Sequence, residues 1–282
     1  MSNLHKISEF THVLLTRFNT AIDYAPTSKG IEDTWLRARI SLFEQYCLPS
    51  VTAQSVNNFK WLVFCDARSP AWFRDAISAY GSILSPIYME GPATDEAIAR
   101  KVHDSGFVRA PYLMTTRLDN DDAIGCNYVA QVQNAFQQQQ RQFLVFPFGL
   151  QSLRGHLYNV YWRANPFLTL IERVAADGSF TTVLCVPHDK VRSTGMVREL
   201  YASPQWLQVL HGGNLLNSLR GWPRLSSKLP AQFPLNWPSG IQQEALIDRI
   251  GATGLSFYMR GLRLTGRFKT RIAKRDTLNP NK

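Results

Sequence analysis

The first half of the chain alternates short apolar runs with longer stretches in which apolar residues recur every three or four positions. Runs of the first kind read as buried strands and stretches of the second as amphipathic helices. His12 to Phe18, Phe59 to Asp66, Ile83 to Met89 and Tyr112 to Leu118 are the strands of this pattern. Between them, Trp35, Leu36, Ile40, Phe43 and Cys47 line one face of a helix. Pro70 opens a second helix running to about Tyr80, at a first-turn position where a missing N–H costs nothing. Thr94 caps a third over Asp95 to Asp104, and a fourth runs from about Asn127 to Gln140, ending in solvated glutamines. Pro86 interrupts the third strand and places it near a sheet edge. The alternation predicts an α/β fold, with a mainly parallel central sheet flanked by helices.

The pattern then changes. Phe143 to Phe148, Tyr158 to Trp162, Phe167 to Ile171 and Thr181 to Val186 read as strands separated by Gly, Asn and Pro turns, a mixed or antiparallel extension of the same sheet. Pro230, Pro234 and Pro238 mark an irregular surface loop over about Leu225 to Gly240. No Gly-, Ser- or Pro-rich linker divides the chain, which predicts a single domain over residues 1–254, with halves meeting at residues 122 and 123, followed by a tail over 255–282.

Composition sharpens this picture at the C-terminus. The chain carries 31 Lys and Arg against 21 Asp and Glu, a formal charge of +10. Eight of the basic residues and only Asp276 among the acids fall from Leu255 onward, so the body before the tail is nearly neutral. Arginines interleaved with Leu255, Met259, Leu262 and Phe268 suit a basic amphipathic helix on an anionic membrane surface, although Gly254, Gly261 and Gly266 weaken any helix there and leave a solvated tail as the alternative. Confinement of the charge to one end argues against nucleic-acid binding. Four scattered cysteines without a CxxC pair form neither a disulfide framework nor a zinc knuckle, and suit a reducing cytosol. The N-terminus lacks a signal-peptide core, and no run of about eighteen apolar residues offers a membrane span. A cytoplasmic protein, peripheral at the inner face of the membrane through its tail, is the expectation.

The chemistry concentrates where the fourth strand ends. Asp119, Asn120, Asp121 and Asp122 follow it directly, and in an open α/β sheet ligands bind beyond the carboxyl ends of the strands. Clustered carboxylates repel one another unless something positive offsets them. Mg²⁺ or Mn²⁺ would do so, accepting one or two carboxylates and completing its shell with water and substrate phosphate. A solvated Asp-rich turn is the competing reading. An EF-hand is excluded, because counting from Asp119 puts Ile124 where Gly is required and Ala130 where Glu is required.

With these residues in view, the chain resembles the rhamnosyltransferase group of GT-A-type glycosyltransferases. The resemblance rests on the first strand ending in Thr16-Arg17-Phe18-Asn19, the stretch from Trp35 to Pro70 with Asp66 at a strand end, Arg117 ahead of Asp119-Asn120-Asp121, and Trp206 to Asn214 containing His211-Gly212-Gly213. It implies a GT-A-like fold, with a Rossmann-like nucleotide-binding half and a mixed acceptor half. It also implies transfer of a sugar from a UDP- or dTDP-linked donor to a glycan or lipid-linked acceptor.

Residue by residue, the resemblance puts Thr16, Arg17 and Phe18 against the ribose and base, and Asp66 on the pyrimidine, where a carboxylate suits an imide N–H. Arg117 would contact the diphosphate, and Asp119, Asn120 and above all Asp121 would hold donor ribose and metal, with His211 as a third ligand. The base that deprotonates the acceptor falls on Asp189 or Glu199 in an inverting reaction. Capping of local helices by Asp66 or Asp189, and surface ion pairs for the arginines, are the plainer alternatives. A sugar-phosphate nucleotidyltransferase and a non-catalytic nucleotide-binding protein remain the alternative functions.

Overall fold

The structure, a computed structural model, describes residues 8–21, 29–211, 218–226 and 228–237. Gly212, Gly213 and Asn214, and the basic tail over 255–282, lie outside the described residues. No helix among the described residues is long and apolar enough to cross a membrane.

The chain divides into two compact units: Met1–Gly149 with Tyr161–Gln208 and Pro230–Trp237, and Leu150–Val160 with Val209–Leu229 and Pro238–Lys282. Both sides of the expected junction at residues 122 and 123 lie inside the first unit.

The first unit is built on a seven-stranded sheet. Strands β1 (Phe10–Arg17), β2 (Lys60–Asp66), β3 (Ser85–Met89) and β4 (Tyr112–Arg117) form its first half, joined by β6 (Arg141–Val145), β9 (Leu168–Arg173) and β10 (Val197–Glu199) in the order β10-β6-β9-β4-β1-β2-β3. β1 pairs in parallel with β2 and β4, as do β2 with β3 and β10 with β6, whereas β9 runs antiparallel to both β4 and β6. The two antiparallel pairings restore the direction, so β1, β2, β4, β6 and β10 all end at the same edge. Pro86 sits in β3, the outermost strand, where its missing N–H breaks no ladder.

The apolar runs became strands because both faces of the sheet are covered. On one face Val13, Leu15, Leu62 and Phe64 pack with Ile98 and Val102 of helix α4 (Asp95–Asp104), which starts at its expected cap, Thr94 Oγ1 accepting from Ala97 N. On the other, Phe18 meets Phe43 and Phe73 edge to face at 5.4 and 5.1 Å, and Trp61 lies 5.5 Å from Phe43. Phe73 belongs to α3 (Ala71–Ser78), and Phe43 follows α1 (Asp33–Leu42) in a π-helical turn, Phe43–Cys47, that runs into α2 (Leu48–Thr52).

Two expectations need correction. Thr181 to Val186 is not a strand: Val183 N donates to Thr115 Oγ1 at 2.8 Å, Cys185 N to Thr182 O at 3.1 Å, and Thr181 N to Glu172 Oε1 at 3.1 Å, which satisfies its backbone as a pinned loop. The helix expected to reach Gln140 is α5 (Tyr128–Asn134), and Gln138 then adopts a left-handed φ of 57° that turns the chain into β6.

β5 (Ala123–Ile124) follows the acidic corner and pairs antiparallel with Leu207 and Trp206 at the start of β11 (Trp206–Leu210). Trp206 is fully buried, stacked on Phe167 at 4.9 Å with its Nε1 donating to Phe146 O at 2.8 Å. Gly149, in β7 (Phe148–Leu153), runs against that ring so closely that a Cβ would lie 2.0 Å from it.

In the second unit, β8 (His156–Tyr161) pairs antiparallel with β12 (Trp222–Pro223). Gln151 Oε1 accepts from Arg220 N at 2.7 Å and Gly221 N at 3.2 Å. Gly221 is required there, because a Cβ would meet Asn159 O at 2.7 Å.

Candidate functional site

Three loops meet at the carboxyl edge of the sheet in the first unit, after β1, β2 and β4. Each leaves its strand carrying the polar residues singled out from the sequence. Leu118 N donates to Leu15 O at 3.1 Å and Phe18 N to Phe64 O at 2.8 Å, so the ladder continues just past the strand ends and fixes the loops side by side.

Asn19 is the buried link among them. Its Oδ1 accepts from Asp66 N at 3.0 Å, and its Nδ2 donates to Ser69 Oγ and to Gly30 O, both at 2.9 Å. Asn120 does the same between β1 and β4, donating from Nδ2 to Phe18 O at 2.6 Å. These amides satisfy backbone groups that leave the sheet unpaired, a requirement wherever a loop is buried.

Asp66 does not cap α3, whose N-cap is Pro70. Its Oδ1 accepts from Arg68 N at 2.7 Å and Arg68 Nε at 3.0 Å, while Oδ2 accepts from Arg68 Nη2 at 2.7 Å. Hydrogen bonding by Arg68 holds the Asp66 carboxyl below the usual carboxylate range, against the upward push of burial. Only 5 % of Asp66 is exposed, whereas the Arg68 side chain is 57 % exposed, so the arginine is the partner able to yield to a ligand.

In the acidic corner Asp119 and Asp121 are each held by an arginine. Arg117 grips Asp119 with two parallel bonds, Nε to Oδ1 at 3.1 Å and Nη2 to Oδ2 at 2.8 Å. Burial pushes the Asp119 carboxyl up, but the charges of Arg117, Arg17 and His188, with the Arg117 hydrogen bonds, bring it below its ordinary value. Arg39 of α1 pairs with Asp121 through Nη1, which also donates to Asn120 Oδ1 at 3.3 Å, and its guanidinium lies 5.0 Å from the Trp35 ring centroid. Asp122 is 1 % exposed, and its N donates to Asp119 O at 3.3 Å, closing the turn.

The loop after β9 reaches the same corner. His188 is half-buried, with Nδ1 2.7 Å from Ala164 O and its ring edge-on to Trp162. Desolvation lowers its pKa, and the charges of Arg117, Asp189 and Asp119 all act on it. Asp189 follows His188 in this loop and is exposed.

The candidates thus sort into three groups. Arg17, Asp66, Arg117, Asp119, Asn120 and Asp121 gather at one sheet edge, and Asp189 stands next to His188, which the charges of Arg117 and Asp119 reach. Thr16 and Phe18 instead turn into the core: Thr16 Oγ1 accepts from Trp61 Nε1 at 2.9 Å, and Phe18 is 3 % exposed among aromatic rings. Glu199 ends β10, three strands from β4, and accepts from Arg163 Nε at 2.6 Å, from Arg192 and from the Tyr201 hydroxyl. His211 is half-buried in the second unit.

Arg39, Asn19 and Arg68 escaped the sequence reading. Arg39 had a signal, standing three residues after Leu36 and four after Trp35, on the helix face that the apolar pattern buries. A charge on such a face needs a buried partner.

A family profile described as "Putative rhamnosyl transferase" matches residues 11–221, most of the chain and all of the corner just described. The chain belongs to this rhamnosyl transferase family. Members of it are glycosyltransferase-type enzymes. Similar solved structures include S. aureus TarS 1-349, at 12% identity over 72% of this chain and 60% of that one with a TM-score of 0.42. They also include the same protein in complex with UDP-GlcNAc, at 12% identity over 73% and 60% with a TM-score of 0.45. HddC from Yersinia pseudotuberculosis matches at 12% identity over 70% and 93%, with a TM-score of 0.39. The chain covers about 60% of the length of TarS 1-349. A comparison with curated proteins finds no match.

Proposed function

We propose that the chain transfers a sugar from a pyrimidine nucleoside diphosphate sugar, UDP- or dTDP-linked, to a glycan or lipid-linked acceptor, with inversion at the transferred carbon. The observation that carries this reading is the convergence of Asp66, Arg117 and the Asp119 to Asp122 turn at the carboxyl edge of parallel strands, within a rhamnosyl transferase family match. Asp66, held as an acceptor, receives the imide N–H of the base once Arg68 swings out. Arg17 and Arg117 face the diphosphate, where two guanidinium groups suit phosphate oxygens.

Asp119 and Asp121 present hard oxygen ligands, the donor set that Mg²⁺ or Mn²⁺ prefers. Among the described residues no three His, Cys, Asp or Glu side chains form a ready cage. The cation expected here takes one or two carboxylates and completes its shell with water and substrate phosphate. Bound there, it would neutralise the diphosphate as that group departs.

The remaining steps belong to side chains of this chain. Asp189, exposed beside His188, takes the proton from the acceptor hydroxyl as its oxygen attacks the anomeric carbon. The bond from that carbon to the diphosphate oxygen breaks, and its electron pair leaves with the nucleoside diphosphate. Arg117 then remains opposite the new negative charge.

The test is product formation from UDP- and dTDP-linked sugars with Mn²⁺, in the parent and in Asp66→Ala and Asp189→Asn variants. The account expects donor binding to weaken at least tenfold in the first. In the second it expects kcat to fall at least a hundredfold with donor affinity kept. Turnover of a sugar 1-phosphate with a nucleoside triphosphate, and none of a nucleotide sugar, would replace this reading with nucleotidyl transfer.

A further inference from the structure

At the same carboxyl edge of the sheet, on the far side of β9 from the acidic corner, three large aromatic side chains stand exposed next to one another. Phe148 is 39% exposed, Tyr161 55% and Tyr201 65%. Their rings are in contact, Phe148 to Tyr161 at 5.1 Å between centroids and Phe148 to Tyr201 at 6.2 Å. Isolated exposed rings are ordinary, but a contiguous set leaves apolar area in water that folding alone would have buried. Contiguous exposed apolar surface of this kind marks interaction sites.

The rim of this patch is polar and ordered. Glu199 accepts from the Tyr201 hydroxyl, from Arg163 Nε at 2.6 Å and from Arg192, so a carboxylate and two guanidinium groups surround the rings. The Arg163 side chain is 54% exposed and that of Arg192 35%, so both guanidinium groups border the rings while remaining in contact with water. Flat apolar faces bordered by charged hydrogen-bonding groups match one ligand chemistry closely. A pyranose ring lays its C–H face on an aromatic ring and turns its hydroxyls outward to donors and acceptors. A second protein would demand more apolar area and less charge at the centre of the patch.

Position adds an independent argument. Phe148 lies just beyond the end of β6 and Glu199 ends β10, two and three strand positions from β4. At the usual spacing between strands this is ~10 to ~14 Å from the Arg117–Asp119 corner. Asp189 belongs to the loop that follows β9 and precedes β10.

We propose that Phe148, Tyr161 and Tyr201, rimmed by Glu199, Arg163 and Arg192, form a saccharide-binding platform that seats the acceptor glycan beside the donor corner. The assignment of acceptor rests on the transferase reading above; the carbohydrate chemistry of the platform rests on its own residues.

Saturation-transfer NMR on the full chain tests it, with maltohexaose, cellohexaose, chitohexaose and methyl α-L-rhamnopyranoside as probes and a UDP titration in the same samples. At least one saccharide is expected to receive saturation from the parent. Its signal should fall fivefold or more in Phe148→Ala/Tyr201→Ala and be retained in Tyr161→Phe, which keeps the ring, with UDP affinity within twofold of the parent in both. The single Tyr201→Ala variant, at the most exposed ring, serves if the double variant fails to fold. The proposal is overturned if no probe contacts the parent, or if the alanine variants match it. It is also overturned if sedimentation equilibrium shows a parent dimer that Tyr201→Ala abolishes, which would make the rings an interface between copies. Saccharide contact without UDP binding would sink the donor reading and keep the platform; UDP binding without saccharide contact does the reverse.

Discussion

Protonation of one buried histidine sets a pH dependence that can be worked from the structure. His12 lies on β1 with 2% of its surface exposed. Its Nδ1 is 3.3 Å from Gln133 Nε2, a donor, so Nε2 carries the ring proton and donates to Thr116 Oγ1 at 2.8 Å. Thr116 in turn lies 2.6 Å from Thr169 Oγ1, tying β1, β4 and β9 together. A second ring proton would face the Gln133 donor, and burial lowers the His12 pKa from 6.5 to about 3. The folded state therefore binds fewer protons than the unfolded chain between those values, and stability falls as pH drops below 6.5. Linkage gives a loss of about 1.4 kcal/mol at pH 5.5, relative to pH 7.5. Other groups titrate too, so the comparison needs His12→Gln, which keeps hydrogen-bonding capacity without the titration. Urea unfolding of both proteins at the two pH values should show the parent's advantage shrinking by about 1.4 kcal/mol. An advantage that does not change with pH would refute the buried neutral imidazole.

Further outcomes follow from single contacts. Gly149→Ala pushes a Cβ onto the buried Trp206 ring, and the urea midpoint should report a loss of about 3 kcal/mol or more. Asn19→Ala leaves Asp66 N without its Oδ1 partner and releases the loop at Ser69, which should cost about 1–3 kcal/mol in unfolding experiments and weaken UDP binding by calorimetry. Arg39→Gln removes the guanidinium from a buried Asp121, a loss of about 3 kcal/mol, and Mn²⁺ should raise the melting temperature of this variant more than that of the parent.

The parallel half of the sheet was legible because its strands are buried on both faces, which writes continuous apolar runs into β1, β2 and β4. α4 was legible to the residue because Thr94 caps it. The segment from Thr181 to Val186 misled because a short apolar run looks the same as strand or loop, and here threonine hydroxyls and the Glu172 carboxylate took the hydrogen bonds a neighbouring strand would have supplied. At the site, strand-end position marked Asp66, Arg117 and the Asp119 to Asp122 turn. It could not separate Arg17, at the edge, from Thr16 and Phe18, since adjacent residues leaving a strand point opposite ways and only the packing decides which faces inward. Arg39 comes from a helix some eighty residues before its partner, a pairing that no local spacing encodes.

Titration of the parent and of Asp66→Ala with UDP, with and without Mn²⁺, followed by a crystal structure of the complex, tests the central claim most directly. The account predicts binding that Mn²⁺ strengthens and Asp66→Ala weakens, with the uracil at Asp66, displaced from Arg68, and the diphosphate between Arg117 and the Asp119 to Asp121 carboxylates. Nucleotide bound away from this edge, or affinity unmoved by both the cation and the substitution, would contradict it.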